Sequence, residues 1–221
     1  MLASRLRGFD VQPGALVAVF AYFVTQACLG SVLQVTVTTT DGKPVSDMVL
    51  TVKPVDAPAP KPLTSGKAIM DQINKEFVPE VLAIYPGTAV SFPNSDSIAH
   101  QVYSFSATKR FSLPLYRGKP YPPVIFEQPG IVALGCNIHD QMVGYIVVVD
   151  TPYFGQSNST GQWQRELPAG TYRLHAWHPR LIDAVPDQSI TIADAQNSRV
   201  TVTIDKALRP LRSVDRRIRD Y

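Results

Sequence analysis

Cysteine is almost missing from this 221-residue chain, with one residue at position 28 and one at position 136. Histidine and methionine, at four each, and tryptophan, at two, are nearly as scarce. Such an inventory excludes extensive metal chemistry and leaves room for one small site. A surplus of one charge is also missing. The formal net charge is +3, but basic residues concentrate in the first ten positions and in 206–221, so the body between is slightly acidic. Without a basic face, no nucleic-acid partner is expected. No long helix-period stripe runs downstream of the N-terminus, which excludes a helical bundle. The 45% hydrophobic and 18% charged content excludes disorder of the whole chain and allows one or two compact cores. Proline (19) and glycine (13) are plentiful, and they punctuate short alternating segments. That pattern predicts an all-β fold.

The only long apolar run lies at the start. Arg5 and Arg7 precede ALVAVFAYFVTQACL at 15–29, followed by Gly30 and Ser31, a secretory signal pattern over residues 1–30. Its apolar part is shorter than the roughly 20 residues of a spanning helix. The expectation is export to the periplasm, cleavage after Ala27 or Gly30, and no membrane span in the mature protein. An uncleaved anchor, or lipidation at Cys28, is the alternative, although Thr25 and Gln26 fit a lipobox poorly. The mature body then holds one thiol, Cys136, in an oxidising compartment where thiols usually pair. It is either a buried core cysteine or a metal thiolate.

Residues 32–40 alternate cleanly, DGKP at 41–44 is a turn, and 48–55 reads as a second strand, so a hairpin is predicted. The Pro- and Ala-rich 56–67 is a linker. Strands are expected around 68–73, 81–84, 89–92, 100–105 and 124–126, with 109–129 otherwise irregular. Within 130–150, two apolar strands flank a seven-residue loop, and such strands must be buried. Further strands are expected at 162–167, 170–177, 189–192 and 199–204, with 151–161 a loop and 209–221 a basic tail.

The loop CNIHDQM sets Cys136, His139 and Met142 at C-x2-H-x2-M spacing, and His100 follows a strand turn upstream. Two imidazoles, a thiolate and a thioether suit one copper in a trigonal His2Cys plane with a weak axial Met, because the sulfurs stabilise Cu(I) while imidazole supports Cu(II). Zinc rarely recruits Met. Taken singly, each residue is ordinary: a core Met, a loop His, a turn-capping His. His175 and His178 cannot join as a second site if 171–178 is a strand, since alternation sends them to opposite faces. No nucleophile elbow, paired carboxylates or phosphate loop appears, so no enzyme is expected.

The run EFVPEVLAIYPGTAVSFPNSDSIAHQV at 76–102, with PGIVALGCNIHDQMVGYIVVV at 129–149, resembles the cupredoxins, the small blue copper proteins, and the ligand spacing is that of the amicyanin type. The resemblance covers about 66–150. The longer run 102–154 is similar to bacterial methylamine-utilisation cupredoxin-like proteins. It implies a Greek-key β-sandwich with a type 1 copper site held by His100, Cys136, His139 and Met142, one-electron transfer, and a redox partner protein or copper acceptor in the periplasm. Blue copper proteins commonly carry Asn directly after the first His, tying the two ligand loops together. Here Gln101 stands there, with Asn94 or Ser95 as substitutes for the tie. The flanks, VLQVTVTTTDGKPVSDMVLTVKP and GQWQRELPAGTYRLHAWHP, resemble a carboxypeptidase-regulatory-like, or transthyretin-like, β-sandwich. Residues 32–62 and 155–208 are expected to form that one discontinuous domain around the 66–150 insert. Two other functions compete with electron transfer: a copper carrier or storage protein, and a non-metal structural or ligand-binding β-protein.

Overall fold

The computed structural model describes residues 31–61, 66–118, 120–205 and 208–209. The signal segment, Cys28 and most of the basic tail lie outside the described residues. Among those residues there are seventeen strands and no helix. The first five are β1 (Ser31–Thr39), β2 (Val49–Pro54), β3 (Lys67–Ile69), β4 (Asp71–Ile73) and β5 (Glu76–Val78). They are followed by β6 (Val81–Ile84), β7 (Thr88–Ser91), β8 (His100–Ser104), β9 (Phe111–Tyr116), β10 (Val124–Phe126), β11 (Gly130–Gly135) and β12 (Val143–Val148). The last are β13 (Phe154–Gln156), β14 (Gln162–Leu167), β15 (Gly170–Trp177), β16 (Gln188–Ile192) and β17 (Ser198–Ile204).

The chain is all-β, and its strands sort into two sandwiches and a ribbon. One sandwich has sheets ordered β14-β1-β17 and β13-β2-β15-β16, drawn from both ends of the chain. The other has sheets ordered β10-β7-β3 and β6-β12-β11-β8-β9, drawn from the middle, with β4-β5 as a separate two-stranded ribbon. Alternation explains the first core: Leu33, Val35 and Val37 on β1 point inward between half-exposed Gln34, Thr36 and Thr38, and meet Leu50, Val52 and Leu174. In the second, Val90, Phe92 and Phe126 face Val102, Leu134 and Ile146.

The apolar run on β12 is buried on both faces. Ile146 and Val148 enter the second core, while Val147 and Val149 pack with Val49 and Val81 and against Trp177. A strand so placed needs no polar alternate residues, which is why this segment reads as continuous hydrophobics. It pairs antiparallel with β11 and parallel with β6.

Several sequence expectations change. β1 and β2 do not form a hairpin. Their turn closes locally, with Gly42 at φ 80° and one bridge between Thr38 and Pro44. The chain then swings to the opposite sheet, where the Met48 N–H donates to Ser157 Oγ at 3.0 Å. Both apolar faces are thereby covered by each other across the core. The expected strand at 68–73 breaks at buried Met70, where the chain leaves β7 for the ribbon. Segment 109–129 contains β9, whose Pro114 is tolerated because β9 lies at a sheet edge. The short strands β5 and β13 were hidden by their three-residue length.

His175 and His178 separate as alternation requires. His175 is exposed with Nδ1 2.7 Å from an Asp187 oxygen, whereas His178, just past β15, is buried. His178 Nδ1 accepts the Arg180 N–H at 3.2 Å, and Nε2 has no partner. Burial, helped by the Arg180 guanidinium and opposed by Asp47, pushes its pKa down to about 4.

Two outcomes follow from this architecture. Gly161 has φ 74°, and a Cβ there would collide with the Val37 carbonyl oxygen on β1. Gly161→Ala is expected to cost about 2 kcal/mol or more in denaturant unfolding, through a left-handed alanine plus the steric clash. The neutral His178 ring is favoured by folding, so its contribution is present above the unfolded pKa of 6.5 and is lost as pH falls through about 4. His178→Gln should therefore lose less stability than the parent between pH 7 and pH 4, by up to about 3 kcal/mol in paired urea titrations.

Candidate metal centre

Antiparallel pairing of β8 with β11, in which Tyr103 opposes Gly135, sets the start of β8 beside the end of β11. His100 opens the former and Cys136 immediately follows the latter. Beyond Cys136 the loop makes two successive tight turns. His139 N–H donates to the Cys136 carbonyl at 3.4 Å, and Met142 N–H donates to the His139 carbonyl at 2.9 Å. The two-residue spacers thus place Cys136, His139 and Met142 at successive turn corners, before β12 resumes the sheet.

Three of the four sequence candidates converge. One ligand atom from each of His100, Cys136 and His139 lies within 4.8 Å of the other two. The two Nδ1 atoms are 3.1 Å apart, and Cys136 Sγ is 3.9 Å from His100 Nδ1 and 3.8 Å from His139 Nδ1. A metal with bonds of about 2.0 Å to nitrogen and 2.3 Å to sulfur in a trigonal plane separates its donors by about 3.5 Å (N to N) and 3.7 Å (N to S). The observed nitrogen–sulfur sides match those values and the nitrogen–nitrogen side is about 0.4 Å shorter, so a single ion fits among these atoms with a narrowed angle at the two nitrogens. Met142 is buried in the same core cluster as Cys136.

Burial grades across the triangle. His100 is wholly buried, Cys136 nearly so, and His139 is half-buried. Desolvation, followed by the proximity of His100 and Lys75, lowers the His139 pKa despite the opposing Asp96 carboxylate. The neutral imidazole, the form that binds a metal, is therefore the resting one.

Surrounding hydrogen bonds hold the donors. The Gln101 N–H lies 3.5 Å from Cys136 Sγ, so the strand carrying one candidate ligand donates to another. The Gln101 side chain instead donates to Ser112 Oγ at 3.0 Å and does not tie the two loops. Asn94 and Ser95 do not replace that tie: Asn94 Nδ2 donates to the Ile98 and Tyr116 carbonyls, and Ser95 Oγ donates to Asp71. A residue that sequence reasoning missed does reach the cluster. Asp96 Oδ2 is 2.6 Å from His100 Nε2. Burial pushes the Asp96 carboxyl up, but the Lys75 N–H, the His100 ring and the Asn74 N–H outweigh it and hold the group below its usual range. No local pattern betrays Asp96, because a four-residue separation outside a helix has no fixed geometry.

No family model matches the chain, and no curated protein does. Solved structures align with part of it. A Cu-containing nitrite reductase from Thermus scotoductus SA-01 is 28% identical over 44% of this chain and 25% of that chain, with a TM-score of 0.36. This chain therefore spans about a quarter of that enzyme's length. A purple cupredoxin from Nitrosopumilus maritimus is 26% identical over 38% of this chain and 100% of its own, with a TM-score of 0.33. A reduced Cu(I) form of an amicyanin mutant is 21% identical over 45% of this chain and 98% of its own, with a TM-score of 0.35. Each alignment takes in less than half of this chain, and the all-β architecture rests on its own strand order.

Proposed function

We propose that this chain is an exported, cupredoxin-like protein that holds one copper ion in a type 1 site and passes single electrons to and from a redox partner protein. The observation that carries the reading is the triangle of His100 Nδ1, His139 Nδ1 and Cys136 Sγ, with sides of 3.1, 3.8 and 3.9 Å. Its soft and borderline donors are those that copper prefers in both oxidation states. Copper bound there supplies a Cu(II)/Cu(I) couple. The protein supplies the rest. His100, His139, Cys136 and Met142 would hold the ion. Sheet pairing and the two turns hold the donors in place, so little reorganisation accompanies a change of charge. Burial of His100 and Cys136 excludes water, and half-buried His139 offers an edge to a partner. The signal-like residues 1–30 support export to the periplasm.

The working unit in this reading is residues 66–150, inserted into a discontinuous β-domain of 32–62 and 155–208. Sheet membership supports the division, since β1 and β2 find all their strand partners among β13–β17. Among the described residues, no helix is long and apolar enough to cross a membrane.

Cu(II) added to the purified protein is expected to give an intense thiolate-to-copper absorption band, lost in Cys136→Ala. A folded, copper-loaded parent that stays colourless sinks the type 1 assignment. Met142→Leu should keep the band and raise the reduction potential, and Met142→Gln should lower it; voltammetry unchanged in both would remove Met142 as axial donor. Retention of Cu(I) against a chelator separates the relay from a carrier that surrenders its ion.

A further inference from the structure

The ribbon β4–β5 lies outside both sandwich sheets, yet its turn points at the metal cluster. Asn74 and Lys75, the two turn residues, have φ 55° and 62°. Left-handed values at both central residues are what a two-residue hairpin turn requires; asparagine adopts them readily, lysine at a cost of order 1 kcal/mol. The conformation has a second use. It aims both turn N–H groups at one carboxylate: Asn74 N–H donates to Asp96 Oδ1 at 2.6 Å, and Lys75 N–H donates to Asp96 Oδ2 at 2.9 Å. Asp96 Oδ2 is then 2.6 Å from His100 Nε2.

The ribbon is itself anchored. Asp71 accepts from Ser95 N–H at 3.2 Å and Ser95 Oγ at 2.7 Å, while buried Gln72 donates through Nε2 to the Pro93 carbonyl at 2.9 Å. The Ser95 N–H also reaches the Gln72 carbonyl at 3.1 Å. Every residue from Pro93 to Asp96 except Asn94 is therefore bonded to the ribbon, and Asn94 is held by Ile98 and Tyr116.

An ionised carboxylate accepts hydrogen bonds and donates none, so the His100 ring must carry its proton on Nε2 to satisfy this contact. In the neutral ring Nδ1 is then a bare lone pair, and Nδ1 is the atom facing Cys136 and His139. We infer that the Asn74–Lys75 turn and Asp96 form a clasp that positions His100, fixing the tautomer and ring orientation that present Nδ1 to the metal. The clasp does the work that Gln101, turned away to Ser112, leaves undone. Asp96 is thus a positioning residue acting through His100. The inference rests on the proposed metal site for its purpose, but the tautomer itself is testable without copper.

The full-length, copper-free protein labelled with 15N-histidine is measured by long-range proton–nitrogen NMR above pH 7. The expected spectrum shows His100 in a single tautomer, protonated at Nε2, with that proton exchanging slowly. A His100 protonated at Nδ1, or a mixture of tautomers, overturns the clasp with no variant needed. In Asp96→Ala, His100 should become a tautomer mixture while His175 and His178 keep their spectra, with Asp96→Asn restoring Nε2–H through its amide oxygen. A folded Asp96→Ala protein with an unchanged His100 spectrum also overturns it. With Cu(II), Asp96→Ala is expected to bind about 10- to 100-fold more weakly than the parent, and Asp96→Asn in between. A parent with the fixed tautomer that binds no copper would defeat the copper reading while leaving the clasp standing.

Discussion

Burial of β12 on both faces is the constraint on which the rest of the molecule depends. A strand that places Ile146 and Val148 in one core and Val147 in another must have a sheet covering each side. The first side belongs to the sandwich that carries the His-Cys-His cluster. The second requires Val49 and Trp177, which come from the flanking sandwich. Each buried valine contributes about 1.5 kcal/mol or more, so separating the two sandwiches would expose several such side chains at once. Because Met142 immediately precedes β12, the same burial fixes one end of the Cys136–Met142 loop.

The cluster is built by a division of labour between sheet and loop. β8 and β11 set the separation of His100 and Cys136, and two consecutive turns set His139 against both. Polar atoms enclosed this closely must be satisfied, and the surrounding donors and acceptors are accordingly specific: a backbone N–H for the thiol and a carboxylate for the buried ring. His139 is the exception, with an exposed flank and a ring held neutral chiefly by desolvation.

Much of this was legible in the sequence because it is carried by short-period signals. Clean alternation marked β1, and the continuous apolar run marked β12 as a buried strand. The Cys136, His139 and Met142 spacing stood out because it lies within one loop, and His100 because histidine is rare. What escaped was non-local. The separation of β1 from β2 depends on Ser157, over 100 residues away from Met48. β9 was masked by Pro114, whose meaning reverses at a sheet edge. Asp96 is held against His100 by a ribbon from a different segment, whose turn bonds the carboxylate, and no run of residues encodes that meeting.

The end of β2 and the chain leaving the 66–150 segment lie side by side. Thr151 Oγ1 donates to the Val52 carbonyl at 2.7 Å, and Lys53 Nζ lies 2.5 Å from Asp150, although 97 residues separate that pair. This proximity bears on the order in which the chain can assemble. Joining β2 to β13 through an unstructured intervening chain closes a loop of about 100 residues, whereas a middle segment already collapsed behaves as a connector roughly ten residues long. The difference in closure entropy is about 2 kcal/mol, in favour of the middle folding first. The outer sandwich, although its first strand leads the chain, is then the last part to be completed.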